Sequence, residues 1–295
     1  MAEQLPALPG MLIRAVPTMV SRKRVLQDEP QDLQFSFQLE AFERNHIDKY
    51  HAMFPGMVSA IPLTYFYLAA QRAHLAAMLD PNFPWPILGM VHVANKMQQH
   101  APVNESKGFR LTVTIEMPER AATKKRVRPL YRVEFYQGET LVVECLSTYQ
   151  VGGGEPPARG RRREMPAPDL NGFIDTGLWQ LNSELGRQYA TLSGDFNPIH
   201  LHPWLSRWFG FSRPIIHGMY SVARAQAKLE QELQQAVTVM DVVFRRPLIL
   251  PAEAHFYYAD QDGKFSVTDA KASRAYLDGT FELAKAEKNQ EEDVL

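Results

Sequence analysis

The chain repeats one order of structural elements twice. In each half of the 295 residues, an alanine-rich segment with helical character is followed by a run of strand-like segments. The two helix starts align as residues 61–65 with residues 216–220, although few residues are identical. The small residues are Ala69, Ala70, Ala73, Ala76 and Ala77 in one helix and Ala223, Ala225 and Ala227 in the other. Because small side chains let a sheet pack closely around a helix, the shared order predicts a duplicated α+β fold.

A stretch rich in glycine, proline and arginine divides the chain near its middle. Residues 151–169 read VGGGEPPARGRRREMPAPD, a composition typical of a linker. Each side of it is long enough for a small domain. We therefore predict an N-terminal domain at residues 1–152, a linker at 153–168 and a C-terminal domain at 169–295.

The predicted elements follow from hydrophobic periodicity and from helix-breaking residues. Residues 63–79 are predicted to form a helix that Asp80-Pro81 ends, and residues 218–233 form its counterpart. The alternation in Leu111-Thr112-Val113-Thr114-Ile115 is typical of a half-buried strand. The predicted strands are 33–39, 87–94, 110–117, 127–136 and 139–151 in the first half and 237–250, 254–259, 265–270 and 276–283 in the second.

The bulk composition excludes several classes of protein. A formal net charge of -1 gives no general attraction to nucleic acid or to an acidic membrane. The most apolar stretch, residues 57–79, contains Pro62, Arg72 and His74, so we predict a buried helix and not a membrane span. Cys145 is the single cysteine, which excludes an intrachain disulfide and favours a reducing compartment. Residues 1–20 lack the compact apolar region of a secretory signal, and we expect the protein in the cytoplasm.

Residues 189–227 contain the groups suited to chemistry. Asp195 and His200 lie five residues apart across the Asn197-Pro198 turn, and His217-Gly218 opens the second helix. A carboxylate beside an imidazole can move a proton. A helix N-terminus offers backbone N–H groups to a carbonyl oxygen that gains negative charge. The combination fits the chemistry of a thioester.

The same segment resembles the MaoC-like (R)-specific enoyl-CoA hydratase and dehydratase family, which has the hot-dog fold. The family pattern reads roughly Tyr-Ala-x-x-Ser-Gly-Asp-x-Asn-Pro-x-His and then Pro-Ile-x-His-Gly-Met. This chain matches it at Tyr189, Ala190, Ser193, Gly194, Asp195, Asn197, Pro198, His200, Pro214, Ile215, His217, Gly218 and Met219. The match covers about forty residues and is far more specific than a lone Asp/His pair.

The resemblance implies a double hot-dog protein that reversibly hydrates trans-2-enoyl thioesters to (R)-3-hydroxyacyl thioesters. Asp195 and His200 would hold the water, with Asp195 as the main proton carrier. Gly218 would donate its backbone N–H to the thioester oxygen, since the missing Cβ permits close approach. Asn197 serves either the turn alone or the ligand, and His217 either contacts the ligand or packs beside the loop. The N-terminal half lacks these residues, so we expect it to be structural and to help form the acyl pocket.

Two further sets of residues are candidates for binding. Arg245 and Arg246 are candidates for the phosphates of coenzyme A or of an acyl-carrier protein. The arginines of the predicted linker are better explained as a charged, solvated segment than as a binding site.

A metal site formed by Asp195, His200, His202 and His217 has ligand types that zinc accepts, but no cysteine is nearby. We predict neither a metal nor another cofactor.

Two other functions remain as alternatives. A hot-dog thioesterase also uses a carboxylate and a helix N-terminus, and fold alone does not separate the two reactions. A non-catalytic subunit that binds acyl thioesters is the second alternative, although the intact Asp195 and His200 argue against it. Pairing of two chains into a homodimer is compatible with this fold.

Overall fold

The computed structural model describes residues 3–22, 31–118, 126–152 and 166–285. The strands are β1 (Glu3–Gln4), β2 (Leu33–Leu39), β3 (Val91–Gln99), β4 (Phe109–Glu116), β5 (Arg126–Val127), β6 (Leu130–Gln137), β7 (Thr140–Gly152), β8 (Ile174–Leu181), β9 (Val237–Phe244), β10 (Ala252–Ala259), β11 (Lys264–Asp269) and β12 (Ala275–Leu283). The α-helices are α1 (Leu8–Ala15), α2 (Thr18–Ser21), α3 (Arg44–Met53), α4 (Phe66–Met78), α5 (Leu185–Ser193), α6 (Pro203–Arg207) and α7 (Gly218–Leu233).

The two halves have the same strand order. In the N-terminal half the order across the sheet is β2-β4-β6-β7-β3, and in the C-terminal half it is β8-β10-β11-β12-β9. If the short strands β1 and β5 are set aside and the remaining five strands of each half are numbered along the chain, both orders read 1-3-4-5-2. The second strands, β3 and β9, pair antiparallel at the centre with Met97 opposite Met240. The α+β double hot-dog prediction is confirmed, and the two sheets join into one.

The alternation of apolar and polar residues places one face of the sheet against the helices. In β4, Leu111, Val113 and Ile115 are fully buried, whereas Thr112 and Thr114 between them remain partly exposed. This period of two sends successive side chains to opposite faces. The inner face packs on α4, whose alanines at positions 70, 73 and 77 are also fully buried.

The helix predictions agree closely with the structure. Residues 63–65 form a single 3-10 turn, and α4 continues from Phe66 to Met78. The predicted helix at 218–233 coincides with α7. Among the described residues, no helix is both long enough and apolar enough to cross a membrane.

Three strand predictions differ from the structure at prolines. The strand expected at 127–136 is broken at Pro129 into β5 and β6. The strand expected at 87–94 lies at 91–99, because Pro84 and Pro86 hold the preceding segment in turns and the polar end of β3 obscured its extent. The strand expected at 237–250 ends at Phe244, ahead of Pro247. β8, α3 and α5 were not predicted. The predicted domain boundaries stay a prediction, and most of the linker, residues 153–165, lies outside the described residues.

A buried carboxylate joins the two halves. Glu230 on α7 has no exposed surface. Its oxygens accept hydrogen bonds from the backbone N–H groups of Val58 (2.7 Å), Ser59 (3.1 Å) and Val237 (3.0 Å). When this acceptor is removed, the buried N–H of Val237 and the part-buried N–H groups of Val58 and Ser59 lose their hydrogen-bond partner.

We expect Glu230→Ala to lower the free energy of unfolding by roughly 3 kcal/mol, because the buried Val237 N–H and two part-buried N–H groups of the N-terminal half lose their acceptor. Urea denaturation followed by circular dichroism measures the change. Glu232→Ala is the matched control on the same helix: its partner is Lys228 and its side chain is 36% exposed, so the expected change is below about 1 kcal/mol. Equal effects of the two substitutions would contradict a joining role for Glu230.

Candidate active site

A helix end and two tight turns fix the position of Asp195. Helix α5 ends at Gly194, whose φ of 77° is in the left-handed region that glycine adopts readily. The backbone N–H of Asn197 donates to Oδ1 of Asp195 at 3.1 Å, and that of Ile199 donates to the Asn197 side-chain oxygen at 3.4 Å. A 3-10 turn at Pro198–His200 follows. These turns bring His200 back beside the carboxylate.

Two histidines pack against each other next to Asp195. The rings of His200 and His217 stack with their centroids 3.6 Å apart. His217 Nε2 lies 3.0 Å from the backbone oxygen of Asp195 and 3.8 Å from its Oδ2. His200 Nδ1 lies 2.8 Å from the backbone oxygen of Ile215. The structure thus brings together the carboxylate and both imidazoles that the sequence singled out.

The hydrogen bonds fix which ring nitrogens carry protons. A carbonyl oxygen only accepts, so Nδ1 of His200 and Nε2 of His217 are the N–H groups. The other nitrogen of each neutral ring then bears a lone pair. Nδ1 of His217 is buried and has no hydrogen-bond partner among the described residues. Nε2 of His200 is the basic atom that is suited to holding a water.

Burial controls the charges of the three groups. Burial and the neighbouring His217 lower the pKa of His200 to about 3, against the opposing pull of Asp195. Burial also lowers the pKa of His217. For Asp195, burial raises the pKa, but attraction to His217 and His200 and hydrogen bonds outweigh it, and the pKa is lowered. With both imidazoles neutral near pH 7, hydrogen bonds remain as the direct stabilisation of the Asp195 carboxylate.

One residue of the N-terminal half reaches this carboxylate. Nε2 of Gln71, on α4, donates to Oδ2 of Asp195 at 2.6 Å. The sequence predicts that the N-terminal half is structural and helps form the acyl pocket. It did not identify Gln71 as a residue of the candidate site. The available signal was an uncharged amide next to Arg72 in an alanine-rich helix, which by itself does not indicate a contact with the other half.

The start of α7 provides a backbone donor. Gly218 is the first residue of the helix, and the N–H groups of a first turn have no acceptor within the helix. A Cβ at this position would lie 2.7 Å from Cε1 of Phe244. Close packing against Phe244 therefore favours glycine at this position.

A cavity of about 570 Å³ joins these groups, and both halves line it. Asp195, His200 and Gly218 lie on its wall. Helix α4 contributes Tyr67 and Leu75, and the N-terminal helix α1, which was not predicted, contributes Leu8 and Leu12.

Three arginines also line the cavity: Arg128, Arg245 and Arg246. Arg245 Nε donates to Oδ2 of Asp278 at 2.8 Å, so part of its charge is already paired. The arginine cluster of the predicted linker, at positions 159 and 161–163, lies outside the described residues. Arg128 was not among the predicted binding residues.

The geometry leaves three of the four residues that were considered as possible metal ligands. Asp195, His200 and His217 each present one ligand-type atom within 4.8 Å of the others. His202, the fourth residue considered, is exposed and caps α6 by accepting from the N–H of Trp204. Backbone carbonyls already engage one nitrogen of each buried imidazole. The absence of a metal stays a prediction.

Comparison with known proteins identifies the segment that carries this site. Residues 179–276 match the model of the MaoC like domain. The C-terminal half contains a MaoC-like domain. Its residues include Asp195, His200, His217 and Gly218, so the predicted resemblance is confirmed for the part of the chain that carries the candidate site.

One of the relatives with a similar sequence aligns with parts of both halves. The 3-hydroxyacyl-thioester dehydratase X of Mycobacterium tuberculosis is 25% identical over 222 residues, which is 73% of this chain and 76% of that protein. The (R)-specific enoyl-CoA hydratase of Aeromonas caviae is 44% identical over 45 residues, which is 15% of this chain and 34% of that protein. The crystal structure of HtdX from Mycobacterium tuberculosis has a TM-score of 0.68 at 22% identity and covers 85% of this chain and 100% of that one. This structural likeness shows a shared fold.

We expect stability to fall as the pH drops from about 6.5 towards 3. Burial lowers the pKa values of His74, His92 and His200 to about 3, whereas an unfolded histidine titrates near 6.5. Between these pH values the unfolded chain binds more protons than the folded chain. Each of the three histidines therefore adds about 1.4 kcal/mol per pH unit to the slope of the unfolding free energy against pH. Urea midpoints between pH 8 and pH 5 measure it. His92→Phe should flatten the curve of urea midpoint against pH, whereas His202→Gln, at an exposed histidine, should not. A wild-type midpoint that does not change with pH would contradict the prediction.

Proposed function

We propose that the protein is a hydro-lyase that reversibly hydrates trans-2-enoyl thioesters to (R)-3-hydroxyacyl thioesters. The observation that carries the proposal is the Asp195 carboxylate with a ring nitrogen of His200 within 4.8 Å of it, in a cavity that the start of α7 also lines. The names of the relatives, a 3-hydroxyacyl-thioester dehydratase and an enoyl-CoA hydratase, support the same reaction.

In the proposed reaction, the thioester oxygen accepts a hydrogen bond from the Gly218 N–H at the positive end of α7. A water held by Asp195 and His200 loses a proton to the carboxylate as its oxygen bonds to C3. The electrons of the double bond move onto the thioester as an enolate, which the helix end stabilises. A proton then returns to C2, so that one water is added and no group changes its net protonation. Dehydration is the reverse.

The arginines of the cavity are the candidates for the phosphates of coenzyme A or of an acyl-carrier protein. Arg246 and Arg128 are better placed than Arg245 in electrostatic terms, because Arg245 is paired with Asp278. Asn197 and His217 line the cavity beside the reacting centre, and we propose that they hold the loop and the ligand in place. The acyl chain would lie against Leu8 and Leu12.

The single cysteine bears on the compartment in which the protein works. Cys145 is buried and burial raises the pKa of its thiol to about 12, so it is chemically inert. A chain with one inert thiol suits a reducing compartment, and we propose the cytoplasm. A homodimer is also part of the proposal; gel filtration with light scattering measures it.

We expect Asp195→Asn to lower kcat for crotonyl-CoA hydration by roughly two to four orders of magnitude, the scale of general acid–base catalysis, with KM largely kept. Loss of the conjugated enoyl-thioester absorbance measures the rate, and chiral analysis identifies the product. Asp262→Asn is the control, since that carboxylate is exposed and pairs with Lys264. Wild-type rates in Asp195→Asn would remove this residue from the mechanism. Release of free thiol by the wild type would instead indicate a thioesterase.

We expect Gly218→Ala to lower kcat at least about tenfold, because the new Cβ meets Phe244 and shifts either the ring or the helix start away from the thioester. The same assay and a thermal melt measure the effect. Gly10→Ala is the matched control: Gly10 is also helical, and no atom lies within 4 Å of its added Cβ. Equal turnover in both variants would contradict the role of Gly218.

A further inference from the structure

We propose that Gln71 is the positioning residue for Asp195: from the N-terminal half, it fixes the orientation of this carboxylate and keeps it ionised. The inference rests on the proposed function for its effect on turnover. Its physical basis is the 2.6 Å hydrogen bond from Nε2 of Gln71 to Oδ2 of Asp195, between residues that are 124 positions apart in the chain.

The two carboxylate oxygens are held from opposite halves. Oδ1 accepts the backbone N–H of Asn197 within its own loop. Oδ2 accepts the side-chain amide of Gln71 from α4. One contact alone would allow the carboxylate to rotate about its last side-chain bond. The two together lock that rotation, and the remaining lone pairs are available to a water.

An amide is suited to this role because it never titrates. An ionised carboxylate only accepts hydrogen bonds, so the nitrogen of Gln71 must face it. The donor strengthens the charged form and lowers the pKa of Asp195, as the second hydrogen bond from the Asn197 N–H also does. Because both histidines are neutral near pH 7, the contribution of Gln71 is large in the range in which an enzyme would work.

The duplicated fold provides an internal comparison. When the two helix starts are aligned, Gln71 of α4 and Gln226 of α7 occupy the same position. Gln226 also reaches the opposite half, but there its oxygen accepts from the backbone N–H of Thr64 at 2.9 Å and from its hydroxyl at 2.7 Å. Both glutamines therefore connect the halves, and Gln71 alone of the two contacts a carboxylate of the candidate site.

Two substitutions separate positioning from packing. Gln71→Leu removes the donor at nearly the same size. Gln71→Glu places a second carboxylate against Oδ2, so the pair must share a proton and the pKa of Asp195 rises further. We expect the acidic limb of the kcat/KM profile to move to higher pH in the order wild type, Gln71→Leu, Gln71→Glu. At pH 7, Gln71→Leu should lower kcat about tenfold or more with little change in KM.

A second measurement does not depend on turnover. The side-chain ¹³C carboxyl signal of Asp195, assigned by its loss in Asp195→Asn, is titrated in the wild type and in both Gln71 variants. We expect the same order of pKa values. Gln226→Leu is the matched control, which should lower the melting temperature and leave this titration unchanged.

The outcomes distinguish the two proposals. Equal rate losses at every pH in both Gln71 variants, with an unchanged carboxyl titration, would reduce Gln71 to a packing residue and overturn the inference. Unchanged rates and unchanged titration would do the same. Lack of turnover in the wild type would defeat the proposed reaction, while the ordered shift of the carboxyl titration would still support the contact between Gln71 and the Asp195 charge.

Discussion

The cost of keeping the Asp195 carboxylate in a largely buried position governs the arrangement of the site. An isolated charge in such a place is strongly unfavourable unless donors surround it. The side chain is 15% exposed, and its donors come from two directions: the Asn197 N–H from its own loop and the Gln71 amide from the other half. Neither half of the chain alone therefore supplies both donors of this carboxylate. Strand β3 pairs with β9 in the joined sheet, and this pairing fixes the position of one half, with its donor, relative to the other.

The two helix starts of the duplicated fold differ in what they offer to a ligand. At α7, the first residue is Gly218, which lines the cavity. At the corresponding position in the N-terminal half, in the turn that leads into α4, Leu63 takes the place of the glycine. The next backbone N–H, that of Thr64, already donates to the Gln226 side chain. A thioester would find a backbone donor at the start of α7, but at the other helix start the Thr64 N–H is already bound. In the proposed reaction the N-terminal half thus supplies cavity walls and one amide, and the C-terminal half supplies the reacting groups.

The sequence contained the elements whose signals are local. The bounds of α7 and β2 agree with the prediction because periodicity and breakers lie within each segment. Asp195, His200 and Gly218 were found because both parts of their motif lie within one segment of about forty residues. Gln71, Arg128 and the N-terminal helix α1 were not found, since each acts through a contact with a distant part of the chain. The pairing of Arg245 with Asp278 was missed for the same reason.

The charges of the site also decide which group carries the proton in the proposed reaction. Burial that brings the pKa of His200 to about 3 makes an imidazolium intermediate unfavourable near neutral pH. His200 is fixed through Nδ1 to the Ile215 carbonyl and presents a lone pair, so it can hold and orient a water without keeping its proton. Asp195 is then the group that takes the proton and can return it to C2. An enzyme with this arrangement needs one mobile proton and one titrating side chain, and the donors on Asp195 determine the pH at which that side chain is ready.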